Sequence, residues 1–394
     1  MRYAERVERF AGEGAEAWAI HMEGLTRRAR GEDIILLTVG DTDTNTPTGV
    51  IRTATDAMLS GDTKYTPIIG FTELREAVAA RSAAKLGVPI EAERVVITAG
   101  AQGALYATAQ CLFDPGDEVV AFEPMYVTYE AVVRSTGAEL VPTPCPAALN
   151  FHPDLEALAA RITPKTKAIL FATPNNPTGA VLTRFELEAI AELCRKHDLW
   201  CISDEVYGDI VYQGEHLSPL SLPGMADRTV VISSLSKSHA MTGWRIGWSI
   251  VPDSDFADHL FNLLLCSLYG LPGFSQRAAI SALTQNFPEL AGMMDTYRDR
   301  RRRLSERLDG LPGMACHAPE GGMFLLLDVR GSGLSAQIFA ERLLAETGVA
   351  LLPADAFGAS AKGHLRLSLG TTDERLDEAA LRIKGFAAAL TRAA

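Results

Sequence analysis

Between residues 94 and 234 the chain repeats one pattern: a short β-branched or aliphatic run, a polar break, then a helical stretch. Arg94-Val95-Val96-Ile97-Thr98 reads as a strand, and Gly100-Ala101-Gln102-Gly103-Ala104-Leu105 opens a helix behind it. Residues 118–122, 167–172, 200–204 and 229–233 repeat the strand pattern. A strand that is apolar at every position is buried on both faces, and helices between such strands supply the cover. The pattern therefore predicts an α/β fold with a mostly parallel sheet between helices. Sheets of this kind bind ligands beyond the carboxyl ends of their strands. The polar residues gather at those ends: Gly100, Ala101 and Gln102, then Tyr126, Asn176, Asp204, and Ser234, Ser236 and Lys237.

After about residue 285 the pattern changes. A long charged helix over 290–308 leads to a strand over 321–328, a helix over 336–346 and short strands over 349–352 and 364–369. A chain of 394 residues exceeds what one simple core supports. The expected division is a large unit over 46–285 and a smaller α/β unit built from 1–45 and 286–394. The net charge of −12 argues against nucleic acid or an anionic membrane surface as partner. It leaves room for a small anionic ligand in a locally basic site. No run approaches the ~18 apolar residues of a membrane span, and no signal peptide is visible behind the charged start Met1-Arg2-Tyr3-Ala4-Glu5-Arg6. Six scattered cysteines without a C-x-x-C pair are expected to be buried, reduced thiols of a cytoplasmic protein.

Some apparent signals dissolve on inspection. Asp41-x-Asp43-x-Asn45 imitates a calcium loop, yet Thr46 and Arg52 stand where that loop needs Gly and Glu. The eight histidines show no H-E-x-x-H or paired spacing, so no metal site is expected. The G-x-G patterns do not follow a strand in a dinucleotide-binding arrangement. The run Arg298-Asp299-Arg300-Arg301-Arg302-Arg303 reads as a solvated helix face.

What remains suits one cofactor. Pyridoxal phosphate needs a lysine amine, a carboxylate at its ring nitrogen, a donor to its phenolate oxygen and a cradle for its phosphate. Ser234-Leu235-Ser236-Lys237, with Gly243-Trp244-Arg245 after it, brings a lysine, two hydroxyls and a cation just past a buried strand. Asp204 ends another buried strand about one strand–helix unit upstream, and Tyr207 follows it. The helix start at Gly100, Ala101 and Gln102 offers backbone N–H groups and a positive dipole end. Taken singly these are a surface lysine, a helix N-cap and a tight turn. Together they form a candidate site.

The sequence resembles the class I aminotransferases over essentially its whole length. The most specific likeness is Ser234-Leu235-Ser236-Lys237-Ser238-His239-Ala240-Met241-Thr242-Gly243-Trp244-Arg245, which looks like that family's cofactor-lysine signature. Asn175-Asn176-Pro177-Thr178-Gly179, Tyr65-Thr66-Pro67 and Asp204-Glu205-Val206-Tyr207 agree with it. The resemblance implies the type I fold of pyridoxal-phosphate transferases, with a mostly parallel seven-stranded sheet in the large domain. It implies that Lys237 carries the cofactor as a Schiff base and moves the proton, and that Asp204 pairs with the ring nitrogen. Tyr207 and Asn176 bond the phenolate oxygen and Tyr126 stacks on the ring. Arg245, Ser234, Ser236 and the amides of Gly100, Ala101 and Gln102 hold the phosphate. Arg366 grips the substrate carboxylate, with Gly40 and Asn176 beside it, and Tyr65 reaches the neighbouring subunit's phosphate in a homodimer.

Substrate choice is the thinner part. Aspartate-specific members hold the distal carboxylate with a basic residue, often at the phosphate-binding helix start, where this chain has Gln102. Segments such as Glu123-Pro124-Met125-Tyr126-Val127-Thr128-Tyr129 resemble the arginine–pyruvate transaminases of bacteria. That favours a basic or neutral donor, with Asp41, Asp43 and Glu123 as candidate acids for a basic side chain. The segment Gly40-Asp41-Thr42-Asp43-Thr44-Asn45 departs from the family, which usually has Pro and Phe after the Gly. Aspartate with 2-oxoglutarate and a carbon–sulfur β-lyase on the same fold stay open. A regulatory domain without catalysis is disfavoured, since no length is spare for a DNA-binding region.

Overall fold

The structure is a computed structural model that describes residues 1–10 and 18–393. After the short strand β1 (Ile35–Leu36), seven strands build the main sheet. They are β2 (Val95–Ala99), β3 (Glu118–Glu123), β4 (Glu139–Pro144), β5 (Thr166–Ala172), β6 (Trp200–Asp204), β7 (Thr229–Ser234) and β8 (Ile246–Ile250). Their order is β2-β8-β7-β6-β5-β3-β4, and only β8 runs antiparallel to its neighbours.

Side-chain alternation explains the double cover. Val96, Val119 and Ala121 pack on one face with Ala104 and Leu105 of helix Gly100–Leu112. Val95 and Ile97 point the other way, into Leu74 and Val78 of helix Thr72–Leu86 and Ala278 of helix Gly273–Thr284. Val120, Phe122 and Ile169 meet Leu187, Ile190 and Cys194 of helix Arg184–His197. Full burial of each such aliphatic side chain contributes about 1.5–3 kcal/mol, so neither face tolerates polar substitution.

Two strands lie outside the expected five. β4 carries Pro142 and Pro144 and sits at the sheet edge, where a missing N–H is tolerated. β8 is interrupted by Gly247 and Ser249, which weakens its strand signal. Gly247 is there for space: a Cβ would lie 2.3 Å from the carbonyl carbon of Gly100 and 2.5 Å from the Ala101 nitrogen.

A second, antiparallel sheet runs β12 (Leu352–Pro353), β13 (His364–Ser368), β10 (Phe324–Asp328), β9 (Ala315–His317), while β11 (Val349–Ala350) pairs in parallel with β1. The strand expected over 349–352 is thus two pieces in different sheets. Ile34, Ile35 and Leu37 share a buried cluster with Leu325, Leu343 and Ile383.

Helix Pro288–Leu308 corrects the reading of the arginine run. Met293, Tyr297, Arg300, Leu304 and Leu308 form its buried stripe at helical spacing. Arg300 therefore points inward, donating to Asp43 at 2.8 and 2.7 Å and to Asp373 at 2.8 Å. All six cysteines are free, but only Cys145, Cys194 and Cys201 are buried; Cys111 and Cys316 are half-buried and Cys266 is exposed. No described helix is long and apolar enough to cross a membrane.

Candidate active site

A cavity of about 250 Å³ opens at the carboxyl ends of the parallel strands. Asp204 ends β6 and Ser234 ends β7, with Ser236 and Lys237 in the turn beyond. Ala101 and Gln102 come from the first turn of helix Gly100–Leu112, Tyr126 from beyond β3 and Asn176 from beyond β5. Tyr207, Arg245, Gly40 and Arg366 line the cavity with these residues, while Gly100 and Tyr65 of the predicted set stand outside its lining.

The Asp204 carboxylate is the buried acceptor of the site. Its Oδ2 accepts from the Tyr129 hydroxyl at 2.8 Å and its Oδ1 from the Val206 amide at 3.2 Å. Among the described residues no cation forms an ion pair with it, and burial pushes it up to about 6 despite the Tyr129 bond. A protonated ring nitrogen is the partner such a group lacks. Burial brings the Lys237 ammonium down to about 8, with Arg366 and Arg245 opposing its charge, and its Nζ donates to the Gly40 carbonyl. A lysine this close to neutrality is a ready nucleophile and base.

Two further positions suit anions. Arg245 donates to the carbonyls of Thr242 at 2.9 Å and Ala99 at 3.4 Å. Gly100, with φ +71°, lets it lie there, since a Cβ would sit 2.4 Å from the guanidinium. The adjoining helix has no acidic residue in its first turn, so its positive end is uncompensated. Deeper in, Arg366 is buried between the rings of Phe324 (4.1 Å) and Phe357 (4.8 Å). It donates to Asn176 Oδ1 at 3.0 Å and the Thr38 carbonyl at 2.5 Å, while its Nε finds no partner. Burial lowers it to about 10. A guanidinium without a carboxylate invites one. Lys237, Arg245 and Arg366 face a single lining carboxylate, so the cavity is basic within a protein of net charge −12.

Several candidates lie elsewhere. Tyr65 is outside the cavity, 88% exposed and edge-on to Tyr269 at 5.1 Å. Asp43 is held at two points by Arg300, which corrects its candidacy as a donor-binding acid. Glu123 is buried, accepts from the Ser360 amide at 2.8 Å, and lines a neighbouring cavity of about 1590 Å³. Asp41 is exposed and accepts from the Thr242 hydroxyl at 2.9 Å. Gln102 accepts from the Thr128 hydroxyl at 2.9 Å.

Sequence reasoning missed Tyr129, Trp18, Thr38, Phe324 and Phe357. Only Tyr129 had a signal, three residues past Tyr126 in a segment leading to a helix. Thr38 acts through its backbone, and the two phenylalanines look like ordinary core.

A lone buried carboxylate, a depressed lysine, an anion cradle at a helix start and a buried free guanidinium fit pyridoxal phosphate and an amino-acid carboxylate together. Fold and cavity define a pyridoxal-phosphate enzyme. The chain belongs to the class I and II aminotransferases, whose family profile matches residues 32–383. It is 52% identical over 390 residues to an arginine–pyruvate transaminase of Pseudomonas aeruginosa, covering 99% of each chain. It is 37% identical to an aspartate/prephenate aminotransferase of Thermus thermophilus, covering 95% of this chain and 96% of that one. It superposes on the solved Thermus thermophilus aspartate aminotransferase with maleate at a TM-score of 0.92, with 35% identity over 98% of this chain and 100% of that one. An alanine aminotransferase from Pyrococcus furiosus also superposes at 0.92, with 29% identity and the same coverage.

Proposed function

We propose that this transaminase takes its amino group from arginine or another basic or neutral L-amino acid and delivers it to pyruvate, in preference to aspartate with 2-oxoglutarate. The observation that carries this reading is the set of cations in the cavity. Lys237, Arg245 and Arg366 are the only ones among the described lining residues, and each has a task. None is left for the distal carboxylate of a dicarboxylic donor, and Gln102 is neutral and already bonded to Thr128. The likeness to an arginine–pyruvate transaminase supports the same choice.

In this reading Lys237 carries the cofactor and holds or moves the proton at the substrate Cα, helped by its lowered pKa. Bound pyridoxal phosphate supplies the electron sink for that bond. Asp204 keeps the ring nitrogen protonated, Tyr207 and Asn176 bond the phenolate oxygen, and Tyr126 covers the ring. Arg245, Ser234, Ser236 and the amides of Gly100, Ala101 and Gln102 hold the phosphate. Arg366 orients the substrate carboxylate, with Gly40 beside it. A unit over 46–285 and one over 1–45 with 286–394 meet at the cavity, and Tyr65 serves the partner's site in a cytoplasmic homodimer. Its exposure and distance from its own cavity suit that role.

Steady-state kcat/KM over a donor panel tests the choice. Arginine, or another basic or neutral donor, with pyruvate is expected to exceed aspartate with 2-oxoglutarate by roughly tenfold or more, as one missing charge-assisted bond of ~1.5–3 kcal/mol dictates. Aspartate outperforming every basic and neutral donor would contradict it.

A further inference from the structure

Three side chains that no spacing rule connects converge on the antiparallel sheet. His317 ends β9, Asp328 ends β10 and His364 begins β13. Asp328 stands opposite His364, and Leu326 opposite both His317 and Arg366. Strand residues two apart share a face, so the three lie on the face that carries Arg366. One ligating atom of each lies within 4.8 Å of the others.

His364 is the informative member. Its Nδ1 lies 3.1 Å from the Ala361 carbonyl and 3.2 Å from the Lys362 carbonyl. A carbonyl only accepts, so Nδ1 carries the hydrogen and Nε2 presents a lone pair. That Nε2 is buried without a hydrogen-bond partner, 3.9 Å from Asp328 Oδ2. The orphan at this point is the imidazole nitrogen, a buried lone pair with no donor in reach. A backbone carbonyl on the far ring nitrogen is also how metal-binding histidines are oriented. Phe151 packs edge-on against both imidazoles, at 5.1 and 5.4 Å. Arg330 bonds Asp328 at 2.9 and 2.6 Å through its guanidinium and at 3.0 Å through its amide, and of the carboxylate's roughly four lone-pair sites about one stays free, on Oδ2, the oxygen nearer His364.

We propose that His317, Asp328 and His364 form a site for a divalent transition metal of zinc's class, which fastens β9, β10 and β13 together beside Arg366. Two imidazoles and one carboxylate suit zinc and its neighbours, whereas magnesium and calcium favour all-oxygen sets.

Chelator-treated holoenzyme, titrated calorimetrically with Zn²⁺, tests this without reference to turnover. Wild type is expected to bind one equivalent per chain that His317→Gln and Asp328→Asn each lose, or bind with affinity reduced by roughly tenfold or more. Both substitutions fall on half-buried positions, and unchanged zinc-free thermal unfolding shows that each variant is folded. Mg²⁺ is expected to give no binding. Zinc binding of equal stoichiometry and affinity in wild type and both folded variants places the metal elsewhere and overturns the proposal. So does the absence of any zinc binding to the wild type.

Discussion

Burial raises the Asp204 carboxyl to about 6 and lowers the Lys237 ammonium to about 8, two consequences of one dry cavity. Between 3.8 and about 6 the unfolded chain has ionised its aspartate while the folded one keeps its proton, so stability falls as pH rises through that window. The cost is roughly 3 kcal/mol. For Lys237, depressed from 10.5, stability is instead lost as pH falls towards about 8. A cation at the cofactor ring nitrogen keeps Asp204 charged and removes its share. The Tm gap between loaded and cofactor-free protein is therefore expected to widen from about pH 4 to about pH 6, and to widen less in Asp204→Asn. An equal gap at both pH values, or equal widening in the variant, would count against the role given to Asp204. The same variant is expected to retain cofactor and lose about 10²–10³-fold in kcat, or ~2.7–4 kcal/mol. Asp204 and Lys237 were legible in sequence because one ends a buried strand and the other lies just past one. Tyr129 was not singled out, since its partner Asp204 is 75 residues away.

At the level of elements, period and punctuation told the most. β2, β3, β5, β6 and β7 each carry an unbroken apolar run of at least three residues and lead into polar turns, and all five were readable. β4 and β8 hid behind prolines and a glycine whose reasons are an edge and a close approach. Helix Pro288–Leu308 was found, but which of its arginines turns inward was not. Composition shows five arginines within 298–303, and only the helical stripe singles out Arg300. Arg300→Ala removes the cation held by Asp43, while Asp373 keeps Arg303 at 3.0 Å. The expected loss is roughly 2–3 kcal/mol, under the range for a fully buried pair because both carboxylates keep some water and Asp373 keeps its second arginine. Urea unfolding checks it: a lowered midpoint at constant slope is expected, and a change below about 0.5 kcal/mol would make Arg300 an ordinary surface pair.

Across the whole molecule, the site joins chain regions that no local signal links. Thr38, Asn176, Phe324 and Phe357 meet around Arg366 only because β13 lies against β10 and the chain just past β1 is hydrogen-bonded to β13. The half of the site on the main sheet could be read from strand ends; this half depended on family resemblance. An acidic chain thereby encloses a basic cavity, with one lysine at its centre. Borohydride reduction of the loaded enzyme followed by peptide mass spectrometry tests that arrangement most directly. The account predicts a single reduced cofactor adduct on the peptide containing Lys237, absent in Lys237→Ala. An adduct on any other lysine of the wild-type chain would contradict it.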